Sequence, residues 1–187
     1  MAKETGKRFK MPKTLFNFAF MNRLGAEIKD EYKSYTFDKS NPRMATGQSF
    51  PDYSTKGAGV GFRTIGKGSK RRVVFIDSYK NRKASGKITI NSQRRTIEGG
   101  YERSKAPVAT GGLKTDTQHK AGKDFIDLGW SSHAYKVKHL RKMGRILTEK
   151  SNPISDDVLK KIMPLFNKHL AKVMPKGTQT ITIGKKK

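Results

Sequence analysis

The chain has 187 residues and no cysteine, which excludes disulfide bonds, thiolate zinc sites and cysteine nucleophiles. It carries 41 Lys and Arg residues against 15 Asp and Glu, so its formal net charge is +26. This charge indicates a negatively charged partner, either nucleic acid or an acidic protein surface, and composition alone does not choose between them.

The length and the modest share of hydrophobic residues, 34%, favour a single domain over residues 1–187. Residues 1–12 are predicted to form a basic N-terminal arm. The arm lacks the apolar run of a signal peptide, and no stretch approaches the roughly 18 apolar residues of a membrane span. We therefore expect a protein that is made and used in a cytoplasm or in an assembly built there.

The clearest helix is predicted over residues 13–33, where apolar side chains recur every four residues. These are Phe16, Phe20, Leu24, Ile28 and Tyr32. The following residues, 34–54, are rich in Ser, Asn, Pro, Gly and Asp, and this composition predicts a loop.

Residues 55–105 are predicted to form a basic, extended loop region because Gly, Ser and Asn are frequent there. The glycines of GAGVGF and GKGSKRR lack the spacing of a phosphate-binding loop, so a flexible or hairpin-like loop is expected. VVFID (73–77) and ITI (88–90) are predicted to be short strands. The candidates for contact with a partner or with nucleic acid are Lys67, Lys70, Arg71, Arg72, Lys80, Arg82, Lys83, Lys87, Arg94, Arg95, Arg103 and Lys105.

The last third, residues 124–184, is predicted to form a strand, a helix and a strand, followed by a basic tail at 185–187. In DFIDLGW (124–130) the alternation directs Ile126, Leu128 and Trp130 towards the core. A helix with Ser155 as its N-cap follows, and Pro164 predicts a kink or a division into two short helices. TQTITIG (178–184) is predicted to be the closing strand. The fold class is therefore α+β, with a small, mostly antiparallel sheet packed by an N-terminal and a C-terminal helix.

Catalysis is not expected, and no cofactor or metal is predicted. Asp124 and Asp127 lie on opposite faces of their strand, and the four histidines are too scattered for a metal cage. A metal-dependent nuclease would be the least improbable enzyme. Basic arms are also familiar from ribosomal proteins, and the few aromatic residues in them favour phosphate contact over base stacking.

Several short phrases, taken in order, resemble the virion-morphogenesis proteins of tailed bacteriophages, which include tail-completion and neck proteins at the head-to-tail joint. The phrases are FNFAFMNRLGAEIKDEY, GQSFPDYS (47–54), YKNRKASG (79–86), KAPVATGGLKTD (105–116), FIDLGW (125–130) and MGRIL (143–147). Relative to that family, residues 55–76 look like an insertion. The order of the phrases, more than any one of them, carries the resemblance.

The resemblance implies a structural virion protein without catalytic residues. It further implies a ring of six or twelve copies that joins the portal or adaptor to the tail in the neck of the particle, after assembly in the host cytoplasm. The basic loops would then contact acidic neighbouring subunits or packaged DNA. The alternative is a ribosomal or other nucleic-acid-packaging protein whose basic arms bind RNA or DNA.

Overall fold

The computed structural model describes residues 16–55, 60–90, 93–148 and 154–173. Its helices are α1 (Phe18–Thr36), α2 (Tyr79–Ala84), α3 (Gly112–Thr115), α4 (Ala134–Lys142) and α5 (Asp156–Val173), and its strands are β1 (Gly61–Ile65), β2 (Arg72–Ile76), β3 (Lys87–Ile90), β4 (Gln93–Thr96), β5 (Thr117–Ala121) and β6 (Ile126–Trp130). The α+β class is confirmed. The predicted arm at 1–12, the closing strand at 178–184 and the tail at 185–187 lie outside the described residues.

The strands pair as three separate two-stranded antiparallel sheets rather than as one sheet. We call them hairpin A (β1 and β2, residues 61–76), hairpin B (β3 and β4, residues 87–96) and hairpin C (β5 and β6, residues 117–130). The described part of residues 55–105 is largely organised as two hairpins with α2 between them, so the extended loop predicted there is wrong. The short strands predicted at 73–77 and 88–90 are confirmed, because they correspond to β2 and β3. The β-branched and aromatic residues of β1, β2 and β3 favour strands despite the loop-like composition, and β4 (QRRT) pairs with β3 although it lacks such a run.

Helix α1 starts later and ends later than residues 13–33. Asn17 has an extended backbone and its side chain accepts a hydrogen bond from the Phe20 N–H at 2.8 Å, so it is the N-cap. The start predicted at residue 13 is therefore wrong, although the predicted apolar stripe is buried from Phe20 to Tyr32. Gly25 lies against hairpin C, where a Cβ would come within 2.5 Å of the His119 ring.

Helix α5 is one helix of 18 residues, so the division into two short helices is wrong. Pro164 lies on its exposed side. There the carbonyl left without a proline N–H can be hydrated, which makes the residue tolerable inside the helix. The Ser155 N-cap is confirmed, because its hydroxyl accepts from the Asp157 N–H at 3.3 Å.

Two apolar clusters form the interior. One joins α1 to α5 and contains Phe20, Met21, Leu24, Ile28 and Ile162. The other lies under the loops and hairpin B and contains Tyr32, Phe37, Met44, Phe50, Ile88, Ile97, Tyr101, Ala106, Val108, Leu113 and Leu147. Leu128 of β6 packs against both clusters. Ile126 and Trp130 also pack inward, which confirms the predicted core-facing side of that strand.

Candidate functional site

Two cations lie in the interior of the larger cluster. Lys83 is 1% exposed and Arg145 is 2% exposed. Lys83 Nζ donates hydrogen bonds to the carbonyls of Ser104 at 2.8 Å and Ala106 at 2.7 Å. Main-chain oxygens, rather than a carboxylate, thus satisfy this buried ammonium group.

The guanidinium of Arg145 binds carbonyls in the same way. Its Nη1 donates to the carbonyl of Lys105 at 2.7 Å, and its Nη2 donates to the carbonyl of Pro51. Burying a charge is expensive unless it is hydrogen-bonded, so these carbonyls are what makes the arrangement stable. Arg145 therefore ties the segment around residue 51 to the segment around residue 105.

The Tyr53 ring lies beside both cations. Arg145 Cζ is 3.7 Å from the centroid of this ring, and Lys83 Nζ is 4.6 Å from it. The Tyr53 hydroxyl donates to the Ala106 carbonyl at 2.9 Å, and the Tyr79 ring packs at 4.9 Å. Cation–π attraction therefore adds to the hydrogen bonds. We call Tyr53, Tyr79, Lys83, Arg145 and the carbonyls of residues 51 and 104–106 the cationic centre.

Local structure explains how the side chains of Lys83 and Arg145 come to lie in the cationic centre. Ser78 caps α2 by accepting from the Asn81 N–H at 3.2 Å, and the spacing of four residues puts Tyr79 and Lys83 on one face of the helix. After α4, Gly144 has a φ of 70°, which favours glycine, and turns the chain so that Arg145 points inward.

Burial sets the protonation of the centre. It lowers the pKa of Lys83 to about 7, and the nearby positive charge of Arg145 acts in the same direction, whereas Glu102 opposes it. Burial also lowers the pKa of Arg145 and raises the pKa of Tyr53 and of Tyr79. A partly neutral amine could act as a nucleophile, but Lys83 is enclosed and bonded to carbonyls. The centre therefore has the geometry of a structural clamp.

The cationic centre is built from phrases that carried the family resemblance. GQSFPDYS supplies Tyr53, YKNRKASG supplies Tyr79 and Lys83, and MGRIL supplies Arg145. KAPVATGGLKTD supplies carbonyls that accept from both cations. Phrases distant in the sequence thus meet at one point of the fold.

Sequence reasoning misassigned one residue of this centre and missed another. Lys83, a predicted surface contact, is buried, so that prediction is wrong; its ammonium group is engaged inside the protein. Arg145 is not among the candidate residues, although its phrase, MGRIL, is one of those that carry the resemblance. The available signal was the placement of a single arginine between Gly144 and the apolar pair Ile146 and Leu147.

The other candidate cations lie at three places. Lys67, Lys70, Arg71 and Arg72 are exposed at the tip of hairpin A, Lys80, Lys87, Arg94 and Arg95 are exposed on α2 and hairpin B, and Arg103 and Lys105 are exposed on the loop that follows. Arg82 is half-buried. Lys105 also forms an ion pair with Asp52 at 3.2 Å.

Hairpin A has an apolar face that the described residues leave uncovered. Phe62 is 79% exposed, Val73 is 66% exposed and Phe75 is 55% exposed. Phe62 and Phe75 are directly paired across the strands, and their ring centroids are 5.3 Å apart. Exposed apolar side chains grouped in this way indicate an interaction surface.

Within the described ranges, no group of three or more His, Asp or Glu side chains is placed to hold a metal ion. The helices of those ranges include none with the length and hydropathy needed to cross a membrane. Comparison with protein-family models, with curated proteins and with solved structures found no match to this chain.

Proposed function

We propose that the protein is a structural, non-catalytic virion protein of the bacteriophage neck or tail-completion region, where a ring of its copies joins the portal or adaptor to the tail. The observation that carries the proposal is hairpin A, which presents Phe62, Val73 and Phe75 to solvent next to a basic tip. The order of the phrases around the cationic centre supports the choice of family.

Hairpin A has the features of an arm that docks on another protein. It makes few contacts with the other helices and strands, so its apolar face gains nothing from the subunit's own core. In a ring each subunit offers two different surfaces to its neighbours, and a projecting arm is a direct way to bury area between them. Hairpin A also lies within the segment 55–76 that looks inserted relative to the family.

After nuclease treatment, the purified protein should sediment as a defined oligomer, and replacing Phe62 and Phe75 together by Ser should shift it to the monomer. The reason is that this pair supplies most of the aromatic surface of the arm. Sedimentation velocity at several protein concentrations makes the measurement.

Phe18→Ser with Tyr135→Ser is the matched control, because these aromatic side chains are 66% and 68% exposed on α1 and α4. The control should assemble like the unmodified protein. An unmodified protein that stays monomeric after nuclease treatment would contradict the ring, and an oligomer indifferent to the Phe62 and Phe75 changes would contradict the role of hairpin A.

The alternative, a ribosomal or other nucleic-acid-packaging protein, is favoured by the exposed cations. Among the candidates, Lys105 alone forms an ion pair in the described part of the chain. Cations without carboxylate partners are available to phosphate groups, each of which would release counterions on binding.

The salt dependence of DNA binding tests the packaging alternative. Packaging through six or more phosphate contacts requires the affinity for random duplex DNA to fall by powers of ten between about 50 and 200 mM salt. Changing Lys67, Lys70, Arg71 and Arg72 together to Ser should then make this dependence shallower. A flat dependence in fluorescence anisotropy titrations would rule out packaging and favour the ring, with its charge facing acidic protein surfaces.

A further inference from the structure

A cleft of about 710 Å³ lies between the base of hairpin A, α2, hairpin B, residues 107–114 and α4. Its walls are mainly apolar, with contributions from Ile76, Ile88, Leu140 and Met143. This volume is within the usual range of roughly 300–1,000 Å³ for ligand sites in proteins. It lies on the body of the subunit and is distinct from the outward face of hairpin A.

The charged side chains that line the cleft are mostly cationic. Arg63, Arg82 and Lys136 contribute without a carboxylate partner among the described residues, and Lys114 is already paired with Glu98 at 2.8 Å. The acidic lining residue Asp77 is engaged, because its carboxylate accepts from the Ser78 N–H and from the Asn81 side chain. The cleft therefore has an excess of positive over negative charge.

The side chain of Arg82 is a second indication that the cleft binds a negatively charged group. Its Nε is buried and has no hydrogen-bond acceptor among the described residues. A buried N–H without an acceptor is costly, and a carboxylate is the acceptor that matches the fork of an arginine best. Arg82 lines the cleft, so a carboxylate that a partner brings there would meet its guanidinium group, and a small movement of the side chain would give Nε its acceptor.

We propose that the cleft receives an extended segment of a different protein, in which apolar side chains alternate with Asp or Glu. The apolar side chains would fill the walls and the carboxylates would bind Arg82, Arg63 and Lys136. A peptide also suits the position of β3, since that strand belongs to a two-stranded sheet and keeps one edge unpaired in the described residues.

A second copy of this chain fits the cleft less well. The exposed apolar residues of hairpin A lie next to Lys67, Lys70, Arg71 and Arg72, so docking that arm here would bring like charges together. With a net charge of +26, most surfaces of another copy would have the same defect. The inference rests on the cleft alone and would stand if the ring proposal failed.

The test uses the full-length protein and a short fluorescein-labelled peptide in which Leu and Phe alternate with Asp and Glu. Its isostere, with Asn and Gln in place of the acids, should bind about tenfold more weakly by fluorescence anisotropy. Arg82→Gln should weaken binding of the acidic peptide by about tenfold, whereas Arg94→Gln, an equal charge change on hairpin B, should alter it by less than about twofold. Circular dichroism verifies that each variant is folded.

Met143→Glu is a second variant that does not disturb the interior, because Met143 is 48% exposed at the cleft. It should repel the acidic peptide and reduce its binding while the thermal midpoint stays the same. Equal binding of the acidic peptide and its isostere, or equal effects of Arg82→Gln and Arg94→Gln, would overturn the proposal.

Two other occupants are distinguished in the same experiment. If sodium decanoate displaces the peptide with equal affinity, the cleft binds small anionic amphiphiles and the proposal fails. If Met143→Glu dissociates an oligomer and no peptide binds, the cleft is an interface between copies and the proposal also fails. Peptide binding is measured on whichever oligomer forms, so its result does not depend on the ring.

Discussion

Replacing Arg145 by Ala should lower the free energy of unfolding by about 3–5 kcal/mol. The change leaves the carbonyls of Pro51 and Lys105 without their donor and opens a cavity beside the Tyr53 ring. Arg145 is 2% exposed, so water cannot replace the lost donors without entering the core. Urea denaturation followed by circular dichroism, at one fixed protein concentration, measures the effect.

Two further variants serve as controls for Arg145→Ala. Lys142→Ala removes an exposed cation from the end of α4 and should change stability by less than about 0.5 kcal/mol. Arg145→Lys keeps the charge but loses the planar fork that reaches two carbonyls, so it should recover less than half of the loss. A cost for Arg145→Ala close to that of Lys142→Ala would show that the clamp contributes little to stability.

The expected size of this effect follows from the position of Arg145 in the fold. Its two bonds join the loop after α1 to the loop after hairpin B, segments separated by about a third of the described chain. Lys83 fixes α2 to the second of these loops. In the described residues the strands form only separate hairpins, so no common sheet joins these segments. Loss of the hydrogen bonds of the cationic centre would therefore leave them loosely held.

The apolar pattern predicted much of the fold. The stripe from Phe20 to Tyr32, the alternation at Ile126, Leu128 and Trp130, and the cap at Ser155 are all in the structure. These features depend on the period of side chains along one element, which a sequence displays directly. The helix start was missed because the side chain of Asn17 competes for the backbone and caps the helix there.

Within residues 55–105 the sequence shows the strands at 73–77 and 88–90, but the extended loop predicted for the segment is wrong because composition is a poor guide where backbone pairing decides the structure. The segment is basic and rich in glycine, yet Phe62 pairs with Phe75 and Thr64 with Val73 in regular register. Such pairing requires complementary runs on two strands, and a property averaged over a window does not record it.

The cationic centre could not be predicted from the sequence, for a different reason. A lysine in a lysine-rich stretch is exposed by default, and Lys83 is buried only because the carbonyls of Ser104 and Ala106 come to it from more than 20 residues away. Its spacing from Tyr79 on α2 was a local indication that it shares a face with an aromatic ring. The partner loop could not be located from the sequence.

Because Lys83 is buried, the protein should become more stable as the pH rises above about 7. The pKa of Lys83 is about 7 in the folded protein and near its ordinary value of 10.5 in the unfolded chain. Below about pH 7 both states bind the proton, and folding must bury the charge. Between the two values the unfolded chain binds more protons, so stability rises with pH, by up to about 1.4 kcal/mol per unit.

Lys83→Met should lack this rise, and Lys80→Met, an exposed neighbour on α2, should keep it. The free energy of unfolding from urea titrations at about pH 7 and about pH 9.5 should therefore increase by about 2–3 kcal/mol more in the unmodified protein than in Lys83→Met. A constant difference between the two proteins across this range would contradict the lowered pKa of Lys83.

Stability can increase with pH while Lys83 keeps its hydrogen bonds to the carbonyls of Ser104 and Ala106. A neutral amine still has two N–H donors, which is enough for the carbonyls of Ser104 and Ala106, whereas only the weaker contact with the Tyr53 hydroxyl at 3.4 Å must change. Tyr53 and Tyr79 stay protonated over this range because burial raises the pKa of each above its ordinary value. Deprotonation of Lys83 thus removes the cost of a buried charge next to Arg145 while its hydrogen bonds to the loop remain.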